Sequence, residues 1–119
     1  MNNKIYYKDG TVLDHFDDSK ILHRDDRLPA IEFTDGYKWW YVDGKRHRVD
    51  GLPAIECEGG DKWWYIDDIL HRVDGPAMDF ASGNKSWYID GKKLTEEEFE
   101  AHPKRCNYLF MLAFEETMK

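Results

Sequence analysis

The run WWYVDGKRHRVDGLPAIECEGGDK, starting at Trp39, recurs with few changes as WWYIDDILHRVDGPAMDFASGNK from Trp63. A third, incomplete copy, SWYIDGKKL, starts at Ser86, and a half-copy, ILHRDDRLPAIEFTDGYK, fills residues 21–38. Matching residues lie 24 apart at His23, His47 and His71, and 24 then 23 apart at Trp40, Trp64 and Trp87. The lost residue falls where Asp50-Gly51-Leu52-Pro53 becomes Asp74-Gly75-Pro76, a turn, where a structural repeat tolerates a deletion. A unit of 23–24 residues has little interior of its own, so the copies must stack and share buried faces.

Within each unit the pattern is short strands joined by glycine turns. Residues 30–33 read as a strand, Asp35-Gly36 as a hairpin turn, 37–42 as an aromatic strand, Asp43-Gly44 as a second turn and 45–48 as a third strand. His-Arg-x-Asp-Gly-Pro marks the corner into the next copy. Pro29, Pro53 and Pro76 stand at strand starts, where a missing N–H does least harm. Alternation along the strands puts Trp40 with Val42, Trp64 with Ile66 and Trp87 with Ile89 on a buried side, faced by Ile31, Phe33, Ile55, Cys57, Met78 and Phe80. The other side then holds Trp39 with Tyr41, Trp63 with Tyr65 and Ser86 with Tyr88. Because Ser86 occupies the Trp39 and Trp63 position, that position need not be apolar. Trp39, Trp63, Tyr41 and Tyr65, with Glu32 and Glu56 beside them, are therefore expected to form a partner-binding face.

The ends depart from the repeat. Ile5 to Gly10 aligns with Ile31 to Gly36, and residues 1–20 read as a degenerate cap ahead of repeats at 21–94. A β-repeat region at 1–95 is followed by a helical segment at 96–119. Thr95 to Glu98 is a capping box that opens a short helix, Pro103 interrupts it, and a second helix follows to about Met118. The apolar residues of that helix, among them Leu109, Phe110, Met111 and Phe114, cover more than one stripe. Capping the last repeat, sealing a homodimer and docking a partner are the three uses open to them.

The formal charge of −7 argues against nonspecific nucleic-acid binding, which needs a basic face. The longest apolar run, residues 108–114, is too short to cross a bilayer, and no apolar leader stands at the N-terminus. Cys57 and Cys106 fit a reducing compartment, so the expected location is the cytoplasm.

No catalytic, metal or cofactor site is expected. Three histidines could bind zinc, but a column spaced by one repeat runs along the sheet and does not converge, and each His is followed by Arg and then Asp, which suits a local corner. Glu32, Glu56 and Asp79 share a register with Lys38, Lys62 and Lys85 nearby, which reads as a solvated charge ladder and not as an acid–base pair. His23-Arg24-Asp25 matches the start of a kinase catalytic loop, with none of the remaining kinase motifs.

The unit WYVDGKRHRVDGLPAIECEGGDKW resembles a divergent MORN repeat: aromatic, x, Asn/Asp-Gly-Lys-x-His, a corner, a short strand and a second Asp-Gly turn. It is more similar still to the His-Arg-x-Asp-Gly-Pro-Ala variant found in short bacterial and bacteriophage proteins, which end in a Thr/Ser-Glu-Glu-Glu-Phe helix like Thr95 to Phe99. Arg24, Arg48 and Arg72 stand where the ordinary MORN unit has Gly, and Asp68 replaces a turn Gly. The resemblance implies a mainly β fold, an elongated antiparallel sheet of 23–24-residue repeats with a C-terminal helical segment. It also implies a non-enzymatic protein-binding module. In its specific form this is a phage or mobile-element inhibitor or accessory protein that binds a host defence protein such as a nuclease or effector. The alternatives are a MORN-type scaffold at a membrane surface, against which the absence of a basic or apolar lipid-facing patch would count, and a small-ligand binder with an aromatic pocket between Trp39 and Trp63.

Overall fold

In the computed structural model, which describes residues 3–118, the repeat folds as one twisted sheet with a row of small hairpins attached to it. The strands are β1 (Lys4–Tyr6), β2 (Val12–Leu13), β3 (Ile31–Glu32), β4 (Lys38–Trp39), β5 (Tyr41–Val42), β6 (Lys45–Arg46), β7 (Ile55–Glu56), β8 (Lys62–Trp63), β9 (Tyr65–Ile66), β10 (Ile69–Leu70), β11 (Met78–Asp79), β12 (Lys85–Ile89) and β13 (Lys92–Leu94). Nine of them form an antiparallel sheet in the order β13-β12-β11-β8-β7-β4-β3-β1-β2. The expected mainly β fold, with a helical segment at the C-terminus, is what forms, and it measures 45 × 34 × 26 Å.

Each full repeat contributes one hairpin to this sheet and one beside it. β3 and β4 pair across the turn at 33–37, and β4 pairs onward with β7 of the next repeat. The chain then leaves the sheet, and β5 and β6 close a two-residue turn at Asp43-Gly44. Both turn residues have positive φ, 50° and 81°, the geometry that suits tight hairpins and favours Asp-Gly. β9 and β10 repeat the arrangement, while in the last copy β12 runs straight through to pair with β13.

Cross-strand register sorts the side chains into two columns. Ile5, Ile31, Trp39, Ile55, Trp63 and Met78 stand opposite one another in turn along one face. Lys4, Glu32, Lys38, Glu56, Lys62, Asp79 and Lys85 do the same along the other, so charges of opposite sign alternate from strand to strand. This corrects the face assignment made from strand alternation. Trp39 and Trp63 share a face with Ile31 and Ile55, and Trp40 and Trp64 are buried on the charged face beneath the loops that join the repeats. Val42 and Ile66, expected in the buried stripe, are exposed because their hairpins have left the sheet.

At the N-terminus Ile5 to Gly10 does align with Ile31 to Gly36: the Tyr7 N–H donates to Thr11 O and the Gly10 N–H to Tyr7 O, as the Phe33 N–H donates to Tyr37 O and the Gly36 N–H to Phe33 O. β1 also takes, toward β3, the place of the Lys-Trp-Trp-Tyr strand. Ile5 pairs with Ile31 as Trp39 pairs with Ile55, and the Tyr6 N–H donates to Ala30 O as the Trp40 N–H donates to Ala54 O. Residues 11–20 are an insertion in the following turn. They fold back as β2 along β1, which leaves a strand of only two residues at that edge of the sheet.

At the C-terminus the capping box forms as expected: Thr95 Oγ1 accepts the Glu98 N–H, and the Glu98 carboxylate accepts the Thr95 N–H. It opens α1 (Glu96–Ala101), and His102 caps α2 (Pro103–Thr117), with Pro103 in the first turn where its missing N–H has no consequence.

Candidate functional site: the clefts between repeats

The corner His-Arg-x-Asp-Gly-Pro builds the joint between repeats. The Nδ1 atoms of His23, His47 and His71 accept the backbone N–H of Asp43, Asp67 and Asp90, each in the following hairpin, at 2.9, 3.0 and 2.9 Å. Backbone bonds from Gly44 to Leu22, Asp68 to Arg46 and Gly91 to Leu70 add a second link at each joint. With Nδ1 accepting, the ring hydrogen sits on Nε2, and His23 Nε2 lies 2.7 Å from Asp25 Oδ1. The histidine column is thus a set of staples, and among the described residues no three His, Cys, Asp or Glu side chains converge as a metal-holding group.

The arginine that follows each histidine explains its place in the repeat. Arg48 lies 3.7 Å above the Trp40 ring, donates to Pro53 O at 3.1 Å and bonds Glu56 at 2.9 Å. Arg24 does the same with Tyr6, Pro29 O and Glu32, and Arg72 with Trp64, Pro76 O and Asp74. A planar guanidinium can stack on a ring and donate in its own plane at once, so one side chain holds strand, corner and loop together. The Trp40 and Trp64 indoles complete the joint by donating to Arg27 O and Gly51 O.

Between the corner of one repeat and the hairpin of the next lies a cleft. One, of about 340 Å³, is lined by residues that include Val49, Leu52, Trp64, Ile66, His71 and Val73, with Tyr108 of α2 at its rim. Another, of about 220 Å³, is lined by residues at the equivalent positions one repeat earlier, among them Leu28, Trp40, Val42 and His47. The corresponding space in the last repeat is filled. Phe99 of α1 is buried there with Ile89 and Leu94, and packs against Val73 and Trp87.

Burial pushes the His71 pKa below its ordinary value; Asp90 nearby opposes this, and Lys104 and His102 add to it. The Lys104 ammonium bonded to Asp90 holds that carboxyl below the usual range. Burial raises the Cys57 thiol, which makes it a poor nucleophile.

The residues expected to form a partner face are divided by the structure. Trp39 packs against the cluster of Ile5, Tyr7 and Ile31, as does Tyr41. Trp63 meets Phe80 edge-on, and Tyr65 lies beneath Arg46. The indole N–H groups of Trp39 and Trp63 are enclosed without an acceptor. Glu32 and Glu56 are engaged by Arg24 and Arg48. All six are half-buried, and Glu32 and Glu56 lie on the opposite face of the sheet from Trp39 and Trp63. Leu109, Phe110, Met111 and Phe114, in contrast, are all exposed, Phe110 by 67%. Of the cleft residues, Val42 and Ile66 read in the sequence as core and Val49 and Val73 carried no signal of their own, although Phe99, just after the capping box, offered one.

Comparisons with protein families, curated proteins and solved structures found no match.

Proposed function

We propose that this chain is a non-enzymatic protein-binding repeat module whose sheet presents the C-terminal helix α2 to a partner. One observation carries the reading: α2 buries none of its residues, yet Leu109, Phe110, Met111, Leu112 and Phe114 all stand on it exposed to water. Leaving that much apolar surface uncovered costs free energy in proportion to its area, and such patches mark interaction surfaces. The helix is held at its start by the Arg105 and Lys104 contacts to Val73 and Asp90, so the patch is offered on a fixed support.

The resemblance to short bacterial and phage repeat proteins extends this to a partner. The module is a phage or mobile-element factor acting in the cytoplasm on a host defence protein, such as a nuclease or effector. A formal charge of −7 supports this by favouring approach to a basic nucleic-acid site. No helix among the described residues is long and apolar enough to cross a membrane.

The test is capture from host lysate with the intact chain and with a Leu109→Asp/Phe110→Asp/Phe114→Asp variant, followed by rebuilding of any complex from purified parts. The expected result is one protein held by the intact chain, lost by the variant, and bound in the rebuilt complex. Equal retention by the two chains would overturn the reading.

A further inference from the structure

The molecule contains three equivalent clefts and plugs one of them with its own chain. Equivalence follows from the staples: Asp43, Asp67 and Asp90 each donate the backbone N–H to a histidine Nδ1, so Val42, Ile66 and Ile89 occupy one position in successive hairpins. By the same register Trp40, Trp64 and Trp87 match, as do Asp25, Val49 and Val73. Their exposure follows both the plug and the strand, since Ile89 ends the continuous strand β12 while Val42 and Ile66 stand on hairpins that have left the sheet. Ile89, under Phe99, is 2% exposed, whereas Ile66 and Val42 are 37% and 39% exposed.

The plug has a definable chemistry. Phe99 packs with its ring centroid 6.5 Å from that of Trp87. Six residues later, Arg105 stacks over Phe99 at 4.9 Å and donates to Val73 O at 2.9 Å. Five residues after Phe99, Lys104 pairs with Asp90. A buried ring and two cations reaching a carbonyl and a carboxylate therefore hold the segment 95–105.

The larger open cleft offers the same features. Trp64, Ile66 and Val73 line it, and Val49 stands at the position whose carbonyl Arg105 reaches in the plugged cleft. The neighbouring Asp67 carboxylate is 3.4 Å from the His47 ring and pairs with no Lys or Arg among the described residues. In the smaller cleft the matching Asp43 is already paired with Lys8, so the larger one is the more complete socket.

We propose that the cleft lined by Val49, Trp64, Ile66 and Val73 is a socket for a segment of a partner protein made of a short helix, a break and the start of a second helix. That segment presents an aromatic side chain on the first helix, followed five to six residues later, past the break, by Lys or Arg, and 95–105 is the built-in example. Local charge selects this occupant: Asp67, which pairs with no Lys or Arg among the described residues, stands where Asp90 takes Lys104, whereas Asp50 and Asp74 at the cleft are already held by Arg27 and Arg72. Phe110 of α2 in a second copy is a poorer occupant, since Glu115 and Glu116 follow it five and six residues later.

This inference rests on the reading of the chain as a protein-binding module but uses a surface separate from Leu109, Phe110 and Phe114. The probe is a synthetic copy of residues 95–106 added to the full-length protein, with binding followed by NMR at the Ile66 and Ile89 methyl groups. The expected result is saturable shifts at Ile66, weakened about tenfold or more by a Phe99→Ala peptide and by Ile66→Asp in the protein. The α2 triple variant should bind the peptide as the intact chain does. Ile66 is exposed on a hairpin, and Val49→Asp, at an exposed cleft residue, serves as a second variant if Ile66→Asp fails to fold. No shift at Ile66 up to about 1 mM peptide, the limit of useful weak affinity, overturns the socket. So does equal binding of the two peptides, or shifts confined to Ile89, which would mean exchange with the built-in plug. None of these three results would bear on partner capture through α2.

Discussion

The Nδ1 of His47 accepts the backbone N–H of Asp67, twenty residues on, and so fastens the first full hairpin to the second. The same bond recurs at each joint, which makes the array a chain of equal links. Replacing His47 with Ala removes the acceptor and leaves the N–H to water. The expected cost is about 1 kcal/mol, the ordinary net worth of one such bond. Urea denaturation should show a lower midpoint with an unchanged slope; an unchanged midpoint would mean that the staple contributes nothing.

The His71 staple makes stability depend on pH. Burial disfavours the folded imidazolium, so the unfolded chain takes up the proton first as pH falls. The contribution of His71 is complete above 6.5 and is lost as pH drops below that value. Thermal midpoints at about pH 7.5 and about pH 5.5 should therefore fall more for the intact chain than for His71→Gln. A midpoint that rises on acidification only when His71 is present would reverse the sign of this argument.

Adjacent tryptophans should respond differently to one substitution. The Trp64 indole donates to Gly51 O at 2.9 Å, while the Trp63 N–H is enclosed with no acceptor. Phe in place of Trp64 loses a bond, a ring under Arg72 and buried area. At Trp63 the same change also removes an unsatisfied donor, a relief of about 1–3 kcal/mol. Trp63→Phe should thus be the milder substitution by about 1 kcal/mol or more, read by chemical denaturation.

Asp68 stands at φ 70° where the sister turns have Gly44 and Gly91. Its carboxylate accepts the Arg46 backbone N–H at 3.1 Å and the Arg46 Nε–H at 2.6 Å, which compensates the backbone strain. Burial opposes ionisation there, but the Arg46 bonds still hold the carboxyl below its ordinary pKa. Asp68→Ala keeps the left-handed strain and loses the bonds, at a cost of about 1 kcal/mol. Asp68→Gly also loses the bonds but relieves the strain, so it should be the more stable of the two by up to about 1 kcal/mol. The thermal midpoints of the pair check this.

The repeat, its turns, the charge ladder and the capping box are legible in the sequence because spacing and local chemistry write them. The faces of Trp39 and Trp40 are not. Alternation says that the two point apart, but which of them lies beneath a loop depends on where residues 47–54 return, and that is a long-range event. Ile5 to Gly10 is legible as the counterpart of Ile31 to Gly36, but its second role, standing beside Ile31 as Trp39 stands beside Ile55, depends on long-range pairing. Val42, Ile66 and Ile89 are alike in sequence, and Phe99, ten residues beyond Ile89, separates the covered one from the open ones.

Strands of two to five residues lie side by side from one end of the sheet to the other, with the chain entering at β1 and leaving beyond β13. Tension applied through the two ends would load these strand pairs one after another, as in peeling, and not all together, as in shear. Such a molecule is mechanically soft along its length. It would release one hairpin at a time, each step undoing one staple and one arginine stack.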